Sequence, residues 1–221
     1  MKHVFATALA LLGFTGVAGA QGPVAVVEEV QGKVTGVEFM DYLAPGKVIK
    51  LGPDSTVVIG YMKSCWRETI TGIGTVIIGQ EQSMVHLGDI KSTKVDCDTH
   101  AQMVDQSIGE SAATIVRSLT PARPASSSRL TLHGRSPIVE TRGRGRLIVE
   151  RLDIQGERYE VDLSAASVVH GRFYDFARNG TALQPGGTYA VSHGSQRTVF
   201  VVDGAAEAGS APVISRLVRL D

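Results

Sequence analysis

The chain has 221 residues, 43% of them hydrophobic, with 22 basic and 22 acidic side chains and a mean hydropathy of +0.08. No surplus of positive charge exists to drive nucleic-acid binding, which is dominated by phosphate neutralisation. About 200 residues suffice for one large or two small domains with genuine cores.

The first twenty residues read as a secretory signal. Lys2 and His3 precede an apolar run over residues 4–17, and Ala18-Gly19-Ala20 supplies the small residues a signal peptidase reads. Cleavage after Ala20 makes Gln21 the mature start. The apolar run of 14 residues is short of the ~18–20 a spanning helix needs. Removing residues 1–20 takes away one lysine and no acid, leaving 21 basic and 22 acidic residues, a net of −1. No later segment approaches transmembrane length. The expected compartment is therefore the periplasm or the extracellular space.

Charge divides the rest unevenly. All seven lysines lie at or before Lys94, and twelve of fifteen arginines lie at or after Arg129. The change falls on TPARPASSS, residues 120–128, whose prolines and serines favour an extended connector. Two domains divided near residue 125 are expected: a β-domain over 21–98, a helix and linker over 99–128, and a second domain over 129–221.

The first domain reads as short strands. Residues 24–30, 32–39, 48–51, 55–62, 66–70, 74–78 and 83–87 are rich in β-branched residues and are separated by Gly, Pro-Gly or Pro-Asp turns. Strands this short bury a face only in a sandwich, a barrel or stacked solenoid rungs, so an all-β domain is expected. TGIGTVIIG, residues 71–79, looks like a phosphate-binding glycine loop, but a strand former follows where such a loop needs a helix N-terminus. These are turn glycines.

Three stretches carry a family resemblance: Val30-Gln31-Gly32-Lys33-Val34, then Leu43-Ala44-Pro45-Gly46-Lys47-Val48-Ile49, then Gly52-Pro53-Asp54-Ser55-Thr56-Val57-Val58-Ile59. Over about 70 residues the chain resembles the FecR-type periplasmic domain. The resemblance implies a β-solenoid-like or sandwich-like fold and a place in the cell envelope. Lys47 stands where that family usually has Asp, and Lys63-Ser64-Cys65-Trp66 replaces its usual D-G-S turn. Its iron-citrate signalling members carry a cytoplasmic head and a membrane span ahead of the domain. Neither is read here, so a sigma-factor role is not carried over.

Cys65 and Cys97 are the only cysteines. In an oxidising compartment an even pair is most simply a disulfide, which on the chain-entropy model stabilises by up to about 3–4 kcal/mol. It would pin the end of the β-domain to the middle of a strand, leaving Trp66 on the opposite face as a candidate contact residue. Two alternatives compete. Asp96, Cys97, Asp98 and His100 offer metal ligands, though without His-x3-His or Cys-x2-Cys spacing. A catalytic cysteine needs a base, and no motif ties His86 or His100 to either thiol.

Beyond Cys97, Val104, Ile108, Ala112, Ile115 and Leu119 repeat at helical spacing, so a helix is expected over residues 101–119, with Asp98 or Thr99 as its cap. From Arg129 onward, segments 130–133, 147–154, 158–163, 167–174, 188–192, 198–202 and 213–220 read as strands, the pattern of an immunoglobulin-like sandwich. LQPGGTY, residues 183–189, resembles the tyrosine corner of such sandwiches. Pro185, Gly186 and Tyr189 are therefore structural candidates. His193-Gly194-Ser195-Gln196 closes a hairpin, and His133 and His170 are placed within the sandwich.

Arg142, Arg144 and Arg146 alternate with Gly143 and Gly145, so an extended backbone projects them from one side; a solvated hairpin is the favoured reading, and a small patch for a carboxylate or other anionic group is the alternative. No paired carboxylates, triad, metal spacing or cofactor motif emerges. Ser111, Ser164 and Ser195 lie outside any G-x-S-x-G context. The sequence thus points to a non-enzymatic exported binding or scaffold module, whose partner is an envelope protein or surface polymer. The alternative is a carbohydrate- or peptidoglycan-binding protein using Tyr159, Phe173, Tyr174, Phe176 and Tyr189.

Overall fold

The computed structural model describes residues 22–99 and 129–220. Among these the protein is all-β, with 18 strands in four sheets and no helix. The expected signal segment, helix and Pro/Ser linker lie outside the described residues.

The N-terminal half is a two-sheet sandwich. One sheet runs β3(Tyr42–Leu43), β1(Ala25–Gln31), β5(Thr56–Tyr61), β6(Trp66–Thr71), β9(Asp89–Lys94). The other runs β2(Val34–Thr35), β4(Val48–Leu51), β7(Gly74–Ile78), β8(Ser83–His86). Every ladder is antiparallel. A solenoid would stack rungs in parallel, so of the two expected architectures the sandwich is the one formed. Alternate residues of the facing strands, among them Val27, Ile59, Ile70, Ile49, Val76 and Ile78, interdigitate as its core. The strand expected over 32–39 is cut short at Thr35: the Asp41 carboxylate accepts the Glu38 amide at 2.8 Å and folds residues 38–41 into a turn.

The C-terminal half is also a two-sheet sandwich. Its larger sheet runs β10(Leu130–Gly134), β17(Gln196–Glu207), β16(Thr188–His193), β12(Gly145–Arg151), β13(Arg158–Leu163). Its smaller sheet runs β14(Val168–Val169), β15(Phe173–Asp175), β11(Ile138–Glu140), β18(Leu217–Arg219). The pairs β10–β17 and β11–β18 are parallel; the rest are antiparallel. Leu147, Val149, Tyr189, Val191, Phe200 and Val202 fill the space between the sheets.

The two sandwiches share a third apolar cluster. Val26, Met40 and Met62 of the first half pack with Ile138, Phe173, Val213, Ile214 and Leu217 of the second. Polar contacts surround it. A β-bulge between Val27 and Glu29 leaves Glu28 facing the second half, where its carboxylate accepts Ile214 N–H at 3.1 Å and Arg67 Nε–H at 2.7 Å. Tyr42 donates its hydroxyl to Glu140 at 2.7 Å, and Arg219 and Arg172 lie over its ring. Burial raises the pKa of Tyr42 well above the usual tyrosine range, with Glu140 adding to it and Arg219 opposing. The expected domains are therefore bonded to each other rather than merely tethered.

Candidate functional site

The described surface is concave and basic at one end of the larger C-terminal sheet. Residues 141–144 link β11 to β12, and Gly194 and Ser195 link β16 to β17. Because Leu147 pairs with His193, both connections emerge at the same end. Between them lies an open cavity of about 700 Å³ lined by Arg142, Arg144, Gly145, Arg146, Ile148 and residues 192–196.

Strand parity separates His193 from the side chains of Arg146, Ile148 and Ser192 that line the cavity. Along β16, Tyr189 and Val191 point into the core, and His193, two residues on, points the same way. His193 is only 6% exposed, and its Nε2 is buried without a hydrogen-bond partner. A polar atom left so costs stability unless something supplies a partner. Gly145 lies over it. A Cβ built at Gly145 would stand 3.3 Å from His193 Nε2 and 3.8 Å from Cδ2, with nothing else within 4 Å. At φ +143°, position 145 also favours glycine over any L side chain.

The rim is the arginine run. Sequence alternation placed the three arginines on one face of an extended strand, but Gly143 (φ +85°) bends the backbone and β12 begins only at Gly145. They still meet in one cavity, brought there by a turn. Arg146 is paired with Glu160 at 3.4 Å and Asp162 at 3.3 Å. Arg142 and Arg144 are exposed and have no acidic partner among the described residues. The cavity therefore carries two guanidinium charges with no acidic partner among the described residues, a surface suited to an anionic group.

The other expected residues are structural in their surroundings. Cys65 and Cys97 are disulfide-bonded, with Cα atoms 5.7 Å apart. Cys65 sits in the turn before β6 at φ +53°, not in the middle of a strand. Val95 N–H donates to Cys65 O at 3.0 Å, so backbone and sulfur together hold the chain leaving β9 against that turn. Trp66 is half-buried against the N-terminal core with the Lys94 ammonium 5.2 Å from its ring. Cys97 is consumed by the disulfide. Asp98 accepts Thr131 N–H at 2.6 Å, and Asp96 O accepts the Ser215 hydroxyl at 2.5 Å, so this run joins the two halves.

Tyr189 is fully buried at the start of β16, its hydroxyl 2.9 Å from Gln184 O and 2.7 Å from Glu157 Oε2. Burial, reinforced by that carboxylate, raises its pKa. Pro185 and Gly186 form the turn ahead of it, with Gly186 N–H donating to Val202 O at 2.9 Å. Phe173, Tyr174 and Phe176 are buried and Tyr159 packs against the same core, so these rings offer no exposed stacking platform. His133 is half-buried, and His170 is exposed 3.6 Å from Glu38 across the interface rather than inside the sandwich.

No family model, curated protein or solved structure matches this chain. No helix among the described residues is long and apolar enough to cross a membrane.

Proposed function

We propose that this protein is a non-enzymatic, extracytoplasmic binding module that holds an anionic component of the cell envelope at the cavity bounded by Arg142 and Arg144. The observation that carries this is the pair of exposed arginines, without an acidic partner among the described residues, that open on one cavity. Guanidinium donors make charge-assisted, often bidentate hydrogen bonds to carboxylate and phosphate oxygens. The disulfide supports an oxidising compartment.

In this proposal the N-terminal half is a FecR-type domain. In support, each of the three stretches carrying the resemblance falls on a strand–turn–strand unit: β1 to β2, β3 to β4, and the turn into β5. The C-terminal half is immunoglobulin-like. Its β17-β16-β12-β13 order corresponds to strands G, F, C and C′, and β14-β15-β11 to D, E and B, with a tyrosine at the head of F. It departs from that pattern in β18, which takes the place beside β11 in parallel.

The test is sedimentation of the purified protein with isolated cell envelopes at low and high salt. Retention should fall with salt, because exposed charges are screened, and should fall further for an Arg142→Ala/Arg144→Ala variant. Equal retention of that variant and the wild type would remove this reading.

A further inference from the structure

We propose that β9 is an interaction edge at which a second copy of this chain adds its own β9 in antiparallel, joining two N-terminal sheets into one. This edge is independent of the arginine cavity. Among the described residues β9 is bonded on one side only, to β6. Val95 N–H donates to Cys65 O at 3.0 Å, and strand alternation follows from it. Asp89, Lys91 and Thr93 direct their backbone groups to β6, while Ile90, Ser92 and Lys94 turn N–H and C=O outward. Such a row of unpaired groups is a template for another strand.

The apolar core also runs out to this edge. Ile90 pairs with Ile70 and shares its inward face. Ile70 is fully buried, yet Ile90 is 42% exposed. A second apolar side chain beside Ile90 would cover it.

Charge names the occupant. Antiparallel strands related by a two-fold axis place one residue opposite its own copy. With Asp89 or Lys91 on the axis, like charges face each other directly, which is destabilising. With Ser92 on the axis, Asp89 meets Val95 and Ile90 meets Lys94. With Ile90 on the axis, the two isoleucines pair on the inward face. Asp89 of each copy then stands opposite Lys91 of the other on the outward face, at the positions where side chains approach closest. Asp89 and Lys91 are both exposed and have no ion pair among the described residues. A lysine blunts an edge against most strands; here a copy that brings Asp89 answers it. The other edge strand of six residues, β13, has its charges already paired, Arg158 with Glu150 and Glu160, and Asp162 with Arg146.

The experiment is sedimentation velocity of the purified protein from about 1 µM to about 1 mM, the span of weak specific association. A monomer–dimer equilibrium is expected within that span. Asp89→Lys or Lys91→Asp alone turns two symmetric attractions into repulsions and should weaken the dimer by at least about tenfold. The double reversal Asp89→Lys/Lys91→Asp should restore it. An equimolar mixture of the two single variants should form a heterodimer, because each brings the charges the other lacks. These positions are exposed, so melting curves should match the wild type. In hydrogen exchange the Ile90 amide should be slow where the dimer is populated and fast on dilution.

A protein that stays monomeric throughout overturns the inference. So does a dimer whose affinity the single reversals leave unchanged, since it uses another surface, and so does failure of the double reversal to restore what they lose. Ile90 protection that persists on dilution overturns it too, and marks an occupant from the same chain. Protection gained by a monomer only in envelope extract does the same, and marks a strand of another protein.

Discussion

Glu28 and Ile214 are 186 positions apart and share a hydrogen bond of 3.1 Å from the Ile214 amide to the Glu28 carboxylate. The same carboxylate holds Arg67 at 2.7 Å. It lies inside the contact between the two sandwiches, beside Ile214, Val26 and Met62 of the shared cluster. Its place depends on Gly60, where a Cβ would stand 2.5 Å from Glu28 Oε1 and 2.6 Å from the Ile214 side chain. Glycine here is a requirement of close approach, not of a turn.

The two halves should consequently unfold together. Urea denaturation of the wild type is expected to give one transition reported alike by Trp66 fluorescence and by circular dichroism. Glu28→Ala strands a buried amide and an arginine, and should cost about 1.5–3 kcal/mol, the range for hydrogen bonds to charged groups. Gly60→Ala should cost a similar amount by displacing the carboxylate. Two separate transitions in the wild type would contradict a shared core.

Reduction of the Cys65–Cys97 disulfide opens a loop of sequence separation 32. On the chain-entropy model the loss is about 3–4 kcal/mol. The expected outcome is a clear drop in melting temperature with dithiothreitol, reproduced by Cys65→Ser/Cys97→Ser. An unchanged melting curve for the serine pair would show that the hydrogen bond from Val95 to Cys65 and the surrounding packing already fix this junction.

The sequence carried the strands whose apolar residues alternate or cluster, and it lost those that do not. Residues 48–51, 74–78 and 158–163 are bounded as their patterns indicate. β9 (DIKSTK) was invisible because every residue in it is exposed: an edge strand bonded to one neighbour needs no buried face. The disulfide was legible from compartment and parity of number. His193 was missed because its place in a hairpin suggested a loop residue. The signal was present in the spacing of Tyr189, Val191 and His193, which puts all three on the inward face. The shared core could not be read, since Met62 and Ile214 stand at the ends of expected strands and Met40 outside any, and they meet only in three dimensions.

A second buried pair fixes the approach to β18. Arg216 and Asp175 are both almost fully buried, with Nη1 to Oδ1 at 2.8 Å and Nη2 to Oδ2 at 3.3 Å. The guanidinium also donates to Ser136 O at 2.7 Å and to Ser210 O. Since Val213 and Ile214 reach the N-terminal half from this same segment, the pair anchors the interface from behind. Arg216→Met leaves the buried Asp175 carboxylate with only the exposed Arg178 at 3.8 Å and the Ala177 amide at 3.0 Å, and should cost about 3 kcal/mol, the lower end for breaking a buried pair. Thermal unfolding is the measurement. A loss below about 1 kcal/mol, the scale of an exposed pair, would mean the site is wetter than its burial implies.

Glu68 sets a pH dependence of unusual sign. It faces inward from β6 with no exposed surface, and both its carboxylate oxygens lie 3.2 Å from Ser83 N. Burial raises its pKa above the ordinary 4.5, and the Ser83 contacts only partly oppose this. Above pH 4.5 the unfolded chain has released this proton while the folded chain still holds it. Fewer protons on the unfolded state means that stability falls as pH rises through that window, until Glu68 ionises in the folded protein as well. Glu68→Gln removes the ionisation and keeps an acceptor for Ser83. The variant should therefore gain on the wild type as pH rises above 4.5, with the two nearest each other at the acidic end. Urea midpoints of both proteins across that range decide the matter: a difference that does not change with pH would show that Glu68 ionises in the fold as freely as in the open chain.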